Sequence, residues 1–156
     1  HVALNKPLPD FSASATREQT VTTESLRGQH AVIYFYPKDN TPGCTTEGQD
    51  FAAHHAEFVA LNTRIYGVSK DTLRSHENFK AKHAFPFELI SDADESLCRL
   101  FDVIKPKKLY GKEYVGIERS TFLIDADGVL RQEWRGVKVK GHVEAVLEAV
   151  GGLSST

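Results

Sequence analysis

The chain is predicted to fold as an α/β protein with a central mixed sheet flanked by helices. Short apolar runs alternate with longer helical segments, and this alternation requires crossover connections between parallel strands. A later pair of strands around residues 125–128 (Asp-Ala-Asp-Gly) is a strong hairpin signal, which makes the sheet mixed. With 156 residues, the chain is expected to form one domain over residues 1–156.

The first half of the chain predicts three features. Two prolines within residues 7–13 indicate an extended entry segment. The apolar and aromatic run over residues 31–36 is typical of a strand buried on both faces. A helix follows, with Thr41 as its cap and Pro42 at its first position, and it should end near Asn62.

The second half continues the alternation and then closes it. The predicted elements are, in order, a buried strand at 65–69, a helix from 71 or 72 to about 83, a strand at 87–90, a helix from 91–92 through 101, a basic and turn-rich loop at 105–114, strands at 121–124 and 129–134, and a helix at 141–150 whose tail should fray.

Composition excludes several function classes. The formal net charge of −2 gives no sign of a nucleic-acid-binding surface. No apolar run reaches the roughly 18 residues of a membrane span, and no signal peptide is visible. Two cysteines do not form a secreted disulfide framework, so a reduced, cytoplasmic protein is expected.

The seven histidines do not predict a metal site. His54 and His55 are adjacent, so on a helix they point in different directions. His76 and His83 are spaced to share a face, but no carboxylate or cysteine is expected to complete a ligand set. We therefore expect no metal.

Cys44 is the candidate nucleophile. Counting Thr41 as the cap, it is the third helical residue, where the helix N-terminus favours thiolate over thiol. The Thr41 hydroxyl can reach the same pocket, and Pro37 and Pro42 stiffen the approach and shield the sulfur from water. A small buried cysteine at a helix start is the alternative interpretation.

The surrounding motif resembles that of a known family. Pro37, Thr41 and Cys44 form Pro-x-x-x-Thr-x-x-Cys, the defining motif of the peroxiredoxins. Residues 35–47 resemble the active-site segment of the peroxiredoxin Q subgroup, also called bacterioferritin comigratory protein, and residues 116–125 resemble its arginine-bearing strand. The resemblance implies a thioredoxin-like fold with an N-terminal extension.

It also implies a thiol-dependent peroxidase that reduces hydrogen peroxide and organic hydroperoxides. Cys44 would attack a peroxide oxygen and become a sulfenic acid. Arg119 would stabilise the thiolate and hold the peroxide oxygens, with a surface salt bridge as the alternative role. Thr41 would hydrogen-bond the sulfur or the peroxide, and the Gly43 and Cys44 N–H groups would stabilise developing charge. No metal or organic cofactor is needed.

Glu47 has two interpretations of equal weight. It either orients charge around the turn that carries Cys44, or it is a solvated first-turn acid favoured by the helix dipole.

The resemblance also raises the question of what reduces the sulfenic acid. The two positions where the subgroup carries a second, resolving cysteine are occupied here by Gln49 and Lys80. Cys98 lies on the flank of an apolar helix face, which favours a core role, with a Cys44–Cys98 disulfide as the alternative. We therefore predict a one-cysteine mechanism.

The external reductant implied by the resemblance is thioredoxin, glutaredoxin or glutathione. A monomer is expected, with a dimer as the alternative. The basic segment 105–114 is expected to be a solvated loop beside the active site, with docking of an acidic reductant as its lesser role. Other functions are a redox sensor and a thiol–disulfide oxidoreductase, although the absence of a Cys-x-x-Cys pair argues against the latter.

Overall fold

A seven-stranded mixed sheet forms the centre of the protein in a computed structural model that describes residues 1–154. Its strands are β1 (Ser12–Ala15), β2 (Gln19–Thr22), β3 (His30–Phe35), β4 (Thr63–Ser69) and β5 (Glu88–Ser91), with β8 (Ser120–Ile124) and β9 (Leu130–Arg135) later in the chain. A separate two-stranded hairpin is made of β6 (Ile104–Leu109) and β7 (Lys112–Ile117). The order across the large sheet is β2-β1-β5-β4-β3-β8-β9.

The helices pack on both faces of this sheet. They are α1 (Pro42–Ala53), α2 (His55–Ala60), α3 (Leu73–His83), α4 (Ser96–Leu100) and α5 (His142–Ser154). None of the helices in the described range 1–154 is long and apolar enough to cross a membrane.

The sheet is mixed, as predicted. Strands β3, β4 and β5 run parallel, whereas β8 pairs antiparallel with β3 and β9 antiparallel with β8. The hairpin predicted around residues 125–128 is therefore the β8–β9 connection. Its place next to β3 brings the segment before β8 close to the segment after β3.

The sheet divides the core into two apolar layers. Alternate side chains of β3 enter different layers, because successive residues of a strand face opposite sides. One layer contains Phe35 with Leu97 and Cys98 of α4. The other contains Tyr34 and Cys44 together with buried residues of α1, α2, α3 and α5. The two cysteines consequently lie on opposite faces of the sheet.

The segment 105–114 is not the predicted loop. It belongs to the β6–β7 hairpin, in which Leu109 pairs with Lys112. Tyr110 and Gly111 both take positive φ angles, 53° and 79°, as a two-residue turn that matches strand twist requires. A tyrosine in the left-handed region is uncommon. The sequence therefore does not predict a tight hairpin turn at Tyr110 and indicates a loop instead.

Other boundaries also differ from the prediction. The β1–β2 hairpin was not predicted. The helix expected from 91–92 begins only at Ser96, because the Asp92 carboxylate accepts hydrogen bonds from the N–H groups of Leu97 and Cys98 and so caps the helix itself. The helix expected over 42–62 divides into α1 and α2 at His54.

The expected fraying of the C-terminal tail is wrong up to Ser154, because α5 continues through Gly151 and Gly152. Residues 155–156 lie outside the described part of the chain.

Glycine at position 48 is required by packing between α1 and the turn after α3. A Cβ atom at Gly48 would overlap the buried ring of Phe85. We predict that Gly48→Ala lowers the free energy of unfolding by about 1–3 kcal/mol through overpacking. The measurement is the urea midpoint at constant m-value.

Gly151→Ala is the matched control for this change. Gly151 is also helical, but nothing lies within 4 Å of its added Cβ, so alanine should stabilise by up to about 1 kcal/mol through helix propensity. A Gly48→Ala variant as stable as the control would contradict the packing argument.

Candidate active site

Cys44 lies at the start of α1, in the connection that leaves the buried strand β3. As predicted, it is the third helical residue after the N-cap Thr41, which is extended with ψ 153°. The Gly43 and Cys44 N–H groups have no acceptor inside the helix, since the first turn always leaves its donors free. Cys44 is only 2% exposed, so little water reaches its sulfur.

Arg119 brings a positive charge to this sulfur. It directly precedes β8, and its Nη2 lies 3.4 Å from the Cys44 Sγ. Glycine at position 43 leaves room for this approach, because a Cβ there would stand 3.2 Å from the same Nη2 and the guanidinium would have to shift slightly. The predicted pairing of Arg119 with Cys44 therefore exists in the structure, although the residues are far apart in sequence.

Glu47 holds the other arm of the guanidinium. Its Oε1 accepts a hydrogen bond of 2.6 Å from Arg119 Nη1, while its Oε2 is buried without a hydrogen-bond partner. Burial raises the pKa of Glu47 to about 7, although the Arg119 charge and hydrogen bond oppose the shift. Glu47 is therefore not the solvated first-turn acid of one interpretation, since its side chain is fully buried.

Arg119 remains a cation in this setting. Burial works against its charge, but the carboxylate of Glu47 and the sulfur of Cys44 outweigh that cost and raise the pKa of Arg119. The arginine is thus held by an acid on one side and presents its remaining donors to the sulfur on the other.

Aromatic rings form the floor beneath the site. Tyr34 stacks on Phe51 of α1 with ring centroids 4.5 Å apart, and on Tyr36 at 5.6 Å. Burial, and then the negative charges of Glu47 and Cys44, raise the pKa of Tyr34. This tyrosine therefore stays neutral and limits the entry of water from below.

His142 lies behind Arg119 and was not predicted as part of the site. Its Nε2 is 2.8 Å from the Thr121 hydroxyl. Burial, aided by the Arg119 charge, lowers the pKa of His142 to about 4. The ring is therefore neutral near pH 7 and adds no competing positive charge. No local sequence signal marks this histidine, because its surroundings come from distant strands.

Thr41 does not make the predicted contact. Its hydroxyl donates a 2.8 Å hydrogen bond to the Lys38 carbonyl, and it makes no side-chain cap bond. In this structure Thr41 closes the turn before α1 instead of bonding the Cys44 sulfur. Pro37 is half-buried within the same connection.

A buried network fixes this connection to α3. His76 Nδ1 lies 2.7 Å from a carboxylate oxygen of Asp39, and its Nε2 lies 2.9 Å from the Ile90 carbonyl. The Asp39 carboxylate also accepts hydrogen bonds from the hydroxyls of Tyr36 and Ser75. We expected no carboxylate to complete a ligand set with His76 and His83, but the carboxylate of Asp39 lies beside His76.

Asp71 extends the same cluster. One of its carboxylate oxygens lies within 4.8 Å of a carboxylate oxygen of Asp39 and of a ring nitrogen of His76. The Asp71 carboxylate accepts hydrogen bonds from the Asp39 N–H and the Ser69 hydroxyl. The side chains of Asp39, Asp71 and His76 thus all make hydrogen bonds within the protein. We infer that this cluster fixes the connection that carries Cys44.

The second cysteine and the two usual resolving positions do not approach Cys44 in the same way. Cys98 lies across the sheet from it, whereas Lys80 is hydrogen-bonded to the backbone and Gln49 faces solvent. Burial, together with a hydrogen bond to Asp92, raises the pKa of the Cys98 thiol. Lys80 donates hydrogen bonds to two backbone carbonyls of the turn after α3, at 2.8 and 2.9 Å. Gln49 is exposed.

Comparison with known proteins agrees with this geometry. Residues 4–133 match the model of the AhpC/TSA family. Peroxiredoxin Bcp of Xanthomonas campestris is 54% identical over 90% of this chain and 88% of its own. Peroxiredoxin Bcp of Bacillus subtilis is 47% identical over 98% of both chains.

Solved structures give the same result. A structure of the Xanthomonas campestris bacterioferritin comigratory protein, described in terms of its alkyl peroxide reduction activity, is 51% identical. It superposes with a TM-score of 0.88 and covers 92% of both chains. The similarity extends over nearly the whole chain and includes the site segments.

The buried Glu47 predicts a specific pH dependence of stability. Its pKa rises from 4.5 to about 7 on folding, so between these values the folded protein keeps a proton that the unfolded chain has released. The stabilisation from this group is complete below about pH 4.5 and is lost as the pH rises through about 7.

We predict that wild type loses about 2–3 kcal/mol relative to Glu47→Gln between about pH 5 and pH 8. Urea unfolding of both proteins across this range measures the difference. Glu148→Gln, a change at an exposed position of α5, is the control and should run parallel to wild type. Parallel curves for Glu47→Gln as well would contradict the assignment.

Proposed function

The chain belongs to the AhpC/TSA family and is a thiol-dependent peroxidase, and we propose that Cys44 carries its reaction by a one-cysteine mechanism. The substrate is a hydroperoxide and the second substrate is a thiol reductant. The observation that carries the proposal is the guanidinium of Arg119 at 3.4 Å from the Cys44 sulfur, at the N-terminus of α1.

The first step is attack of the Cys44 thiolate on the terminal oxygen of a hydroperoxide. The S–O bond forms as the O–O bond breaks, sulfur is oxidised to the sulfenic acid, and the other peroxide oxygen leaves as water or an alcohol after taking up a proton. Arg119 faces the developing negative charge, and the free N–H groups of Gly43 and Cys44 add donors at the helix start. We propose that the Thr41 hydroxyl rotates away from the Lys38 carbonyl to hydrogen-bond the sulfur or the peroxide. We propose that Pro37 shields the sulfur from water.

The one-cysteine mechanism is supported by the position of Cys98. A disulfide needs Cα atoms within about 7 Å, and the sheet stands between the two cysteines. The raised pKa of the Cys98 thiol, caused by burial, also disfavours its thiolate as an attacking group. Lys80, at one of the usual resolving positions, is engaged in bonds to the backbone.

The sulfenic acid is then reduced by an external thiol, for which we propose thioredoxin, glutaredoxin or glutathione. Attack of this thiol releases water and forms a mixed disulfide, which a second thiol resolves. The cycle requires Cys44 to be reduced in every turnover, which supports work in a reducing compartment such as the cytoplasm. We propose that the catalytic unit is the monomer.

Two cysteine variants test the mechanism. We expect Cys44→Ser to lose peroxide-dependent consumption of dithiothreitol by at least about 10³-fold, because the nucleophile is absent. Cys98→Ser should keep wild-type turnover within about twofold, since Cys98 takes no part.

Intact-mass analysis after peroxide completes this test. Wild type without reductant should gain oxygen on Cys44 and show no internal disulfide. Retained peroxide-dependent consumption of dithiothreitol in Cys44→Ser would contradict the assignment of Cys44 as the peroxidatic residue. A Cys44–Cys98 disulfide with loss of turnover in Cys98→Ser would replace the one-cysteine mechanism by a two-cysteine one.

A further inference from the structure

The β6–β7 hairpin carries more than half of the large hydrophobic side chains that are exposed in the described chain. Among the residues of the range 1–154, seven large hydrophobic side chains are exposed, and four of them lie on this hairpin. They are Leu109, Tyr110, Tyr114 and Val115, of which Tyr110 is 95% exposed. Such clustering on a small surface element marks an interaction site more often than scattered exposure does.

The register of the hairpin separates its residues into two faces. Residues directly opposite each other share a face, and successive pairs alternate. The pairs Leu109–Lys112, Lys107–Tyr114 and Lys105–Gly116 share one face, which we call the basic face. It carries three lysines and no acid of its own, and one of them, Lys105, is ion-paired with Asp102 at 3.0 Å.

The opposite face is different in charge. It contains the pairs Lys108–Glu113 and Pro106–Val115, so its charges balance. Apolar side chains stand on both faces, with lysines between them, so the hairpin offers no continuous apolar plane for insertion into a lipid bilayer. This pattern favours a protein partner over a membrane.

The basic face adjoins the reactive cysteine. Lys107 Nζ donates a 2.7 Å hydrogen bond to the carbonyl of Ile117, two residues before Arg119. Burial and the charge of Arg119 lower the pKa of Lys107, while Cys44 opposes the shift, so all three side chains share one electrostatic environment. Because β7 ends two residues before Arg119, which contacts the Cys44 sulfur, the basic face lies next to the site.

Other lysines extend this positive surface. Lys38 is exposed and its carbonyl accepts the hydrogen bond from Thr41. Lys138 is exposed and follows Val137, whose N–H donates to the Arg119 carbonyl at 2.9 Å. The whole chain has a net charge of −2, so these exposed lysines stand on a protein that is acidic as a whole.

We propose that the basic face of the β6–β7 hairpin docks an acidic dithiol protein that reduces the Cys44 sulfenic acid. The inference rests on the proposed one-cysteine peroxidase function, which needs a thiol partner at Cys44. Complementary charge selects the partner and speeds its encounter, while Leu109 and Tyr114 supply apolar contact.

The reduction balances in two steps. A partner thiol attacks the sulfenic sulfur, forming the intermolecular S–S bond as the S–O bond breaks and the hydroxyl leaves as water. The partner's second thiol then attacks the partner sulfur of the mixed disulfide. This step releases Cys44 as thiolate and leaves the partner oxidised to an internal disulfide.

Two charge reversals on the same hairpin test the docking surface. Lys112→Glu changes the basic face, and Lys108→Glu makes the same charge change on the opposite face. The probe is a purified thioredoxin with net negative charge, assayed as reductant at low salt. We expect Lys112→Glu to raise the KM for thioredoxin about 10-fold and Lys108→Glu by less than about threefold, with the difference fading at high salt.

Two further readouts separate docking from chemistry. The rate of Cys44 oxidation by hydrogen peroxide and the turnover supported by uncharged dithiothreitol should match wild type in both variants. Absence of Cys44 oxidation in wild type would instead mean that the peroxidase function itself has failed.

Several results would overturn the docking proposal. One is an equal effect, or no effect, of the two reversals on the KM for thioredoxin. Another is a wild type that turns over with dithiothreitol but not with thioredoxin. A third is loss of binding to phosphatidylglycerol vesicles in Lys112→Glu while thioredoxin-supported turnover is unchanged, which would assign the hairpin to a membrane.

Discussion

In the mechanism that we propose, the chemistry depends on one guanidinium shared between an acid and a sulfur. Arg119 is anchored by the buried carboxylate of Glu47 and offers its second arm to Cys44. Without the acid, the arginine would be a buried cation with only a thiol for a partner, and burying an unpaired charge is costly. Glu47 therefore stabilises the arrangement that holds Arg119 beside Cys44.

The fold assembles this arrangement from distant parts of the chain. Parallel β3 delivers the connection that carries Cys44, and antiparallel β8 returns beside it with Arg119 just before its first residue. The Asp39–His76 pair fixes the connection from the α3 side. The same sheet that brings Arg119 to Cys44 keeps Cys98 on its other face. The contact between Arg119 and Cys44 and the separation of the two cysteines thus have a common structural cause.

Sequence reasoning reached the parts of the site that local patterns encode. The buried run over 31–36 and the capped helix start place Cys44 correctly, because both depend on neighbouring residues. Arg119 was found only through its motif, since nothing local shows that it meets Cys44. The burial of Glu47 and the neutral ring of His142 could not be predicted, because both follow from tertiary packing. The β6–β7 hairpin was missed for a different reason: it is exposed, and its turn places a tyrosine in a left-handed conformation.

A double-mutant cycle on Glu47 and Arg119 tests the shared guanidinium most directly. The measured quantity is the rate of Cys44 oxidation by hydrogen peroxide in wild type, Glu47→Gln, Arg119→Lys and the double variant. Lysine keeps the charge but lacks the fork that reaches both partners. If Glu47 acts through Arg119, the double variant will be no slower than Arg119→Lys alone, within about twofold. Single effects that simply multiply in the double variant would show that the two residues act independently and would contradict the account.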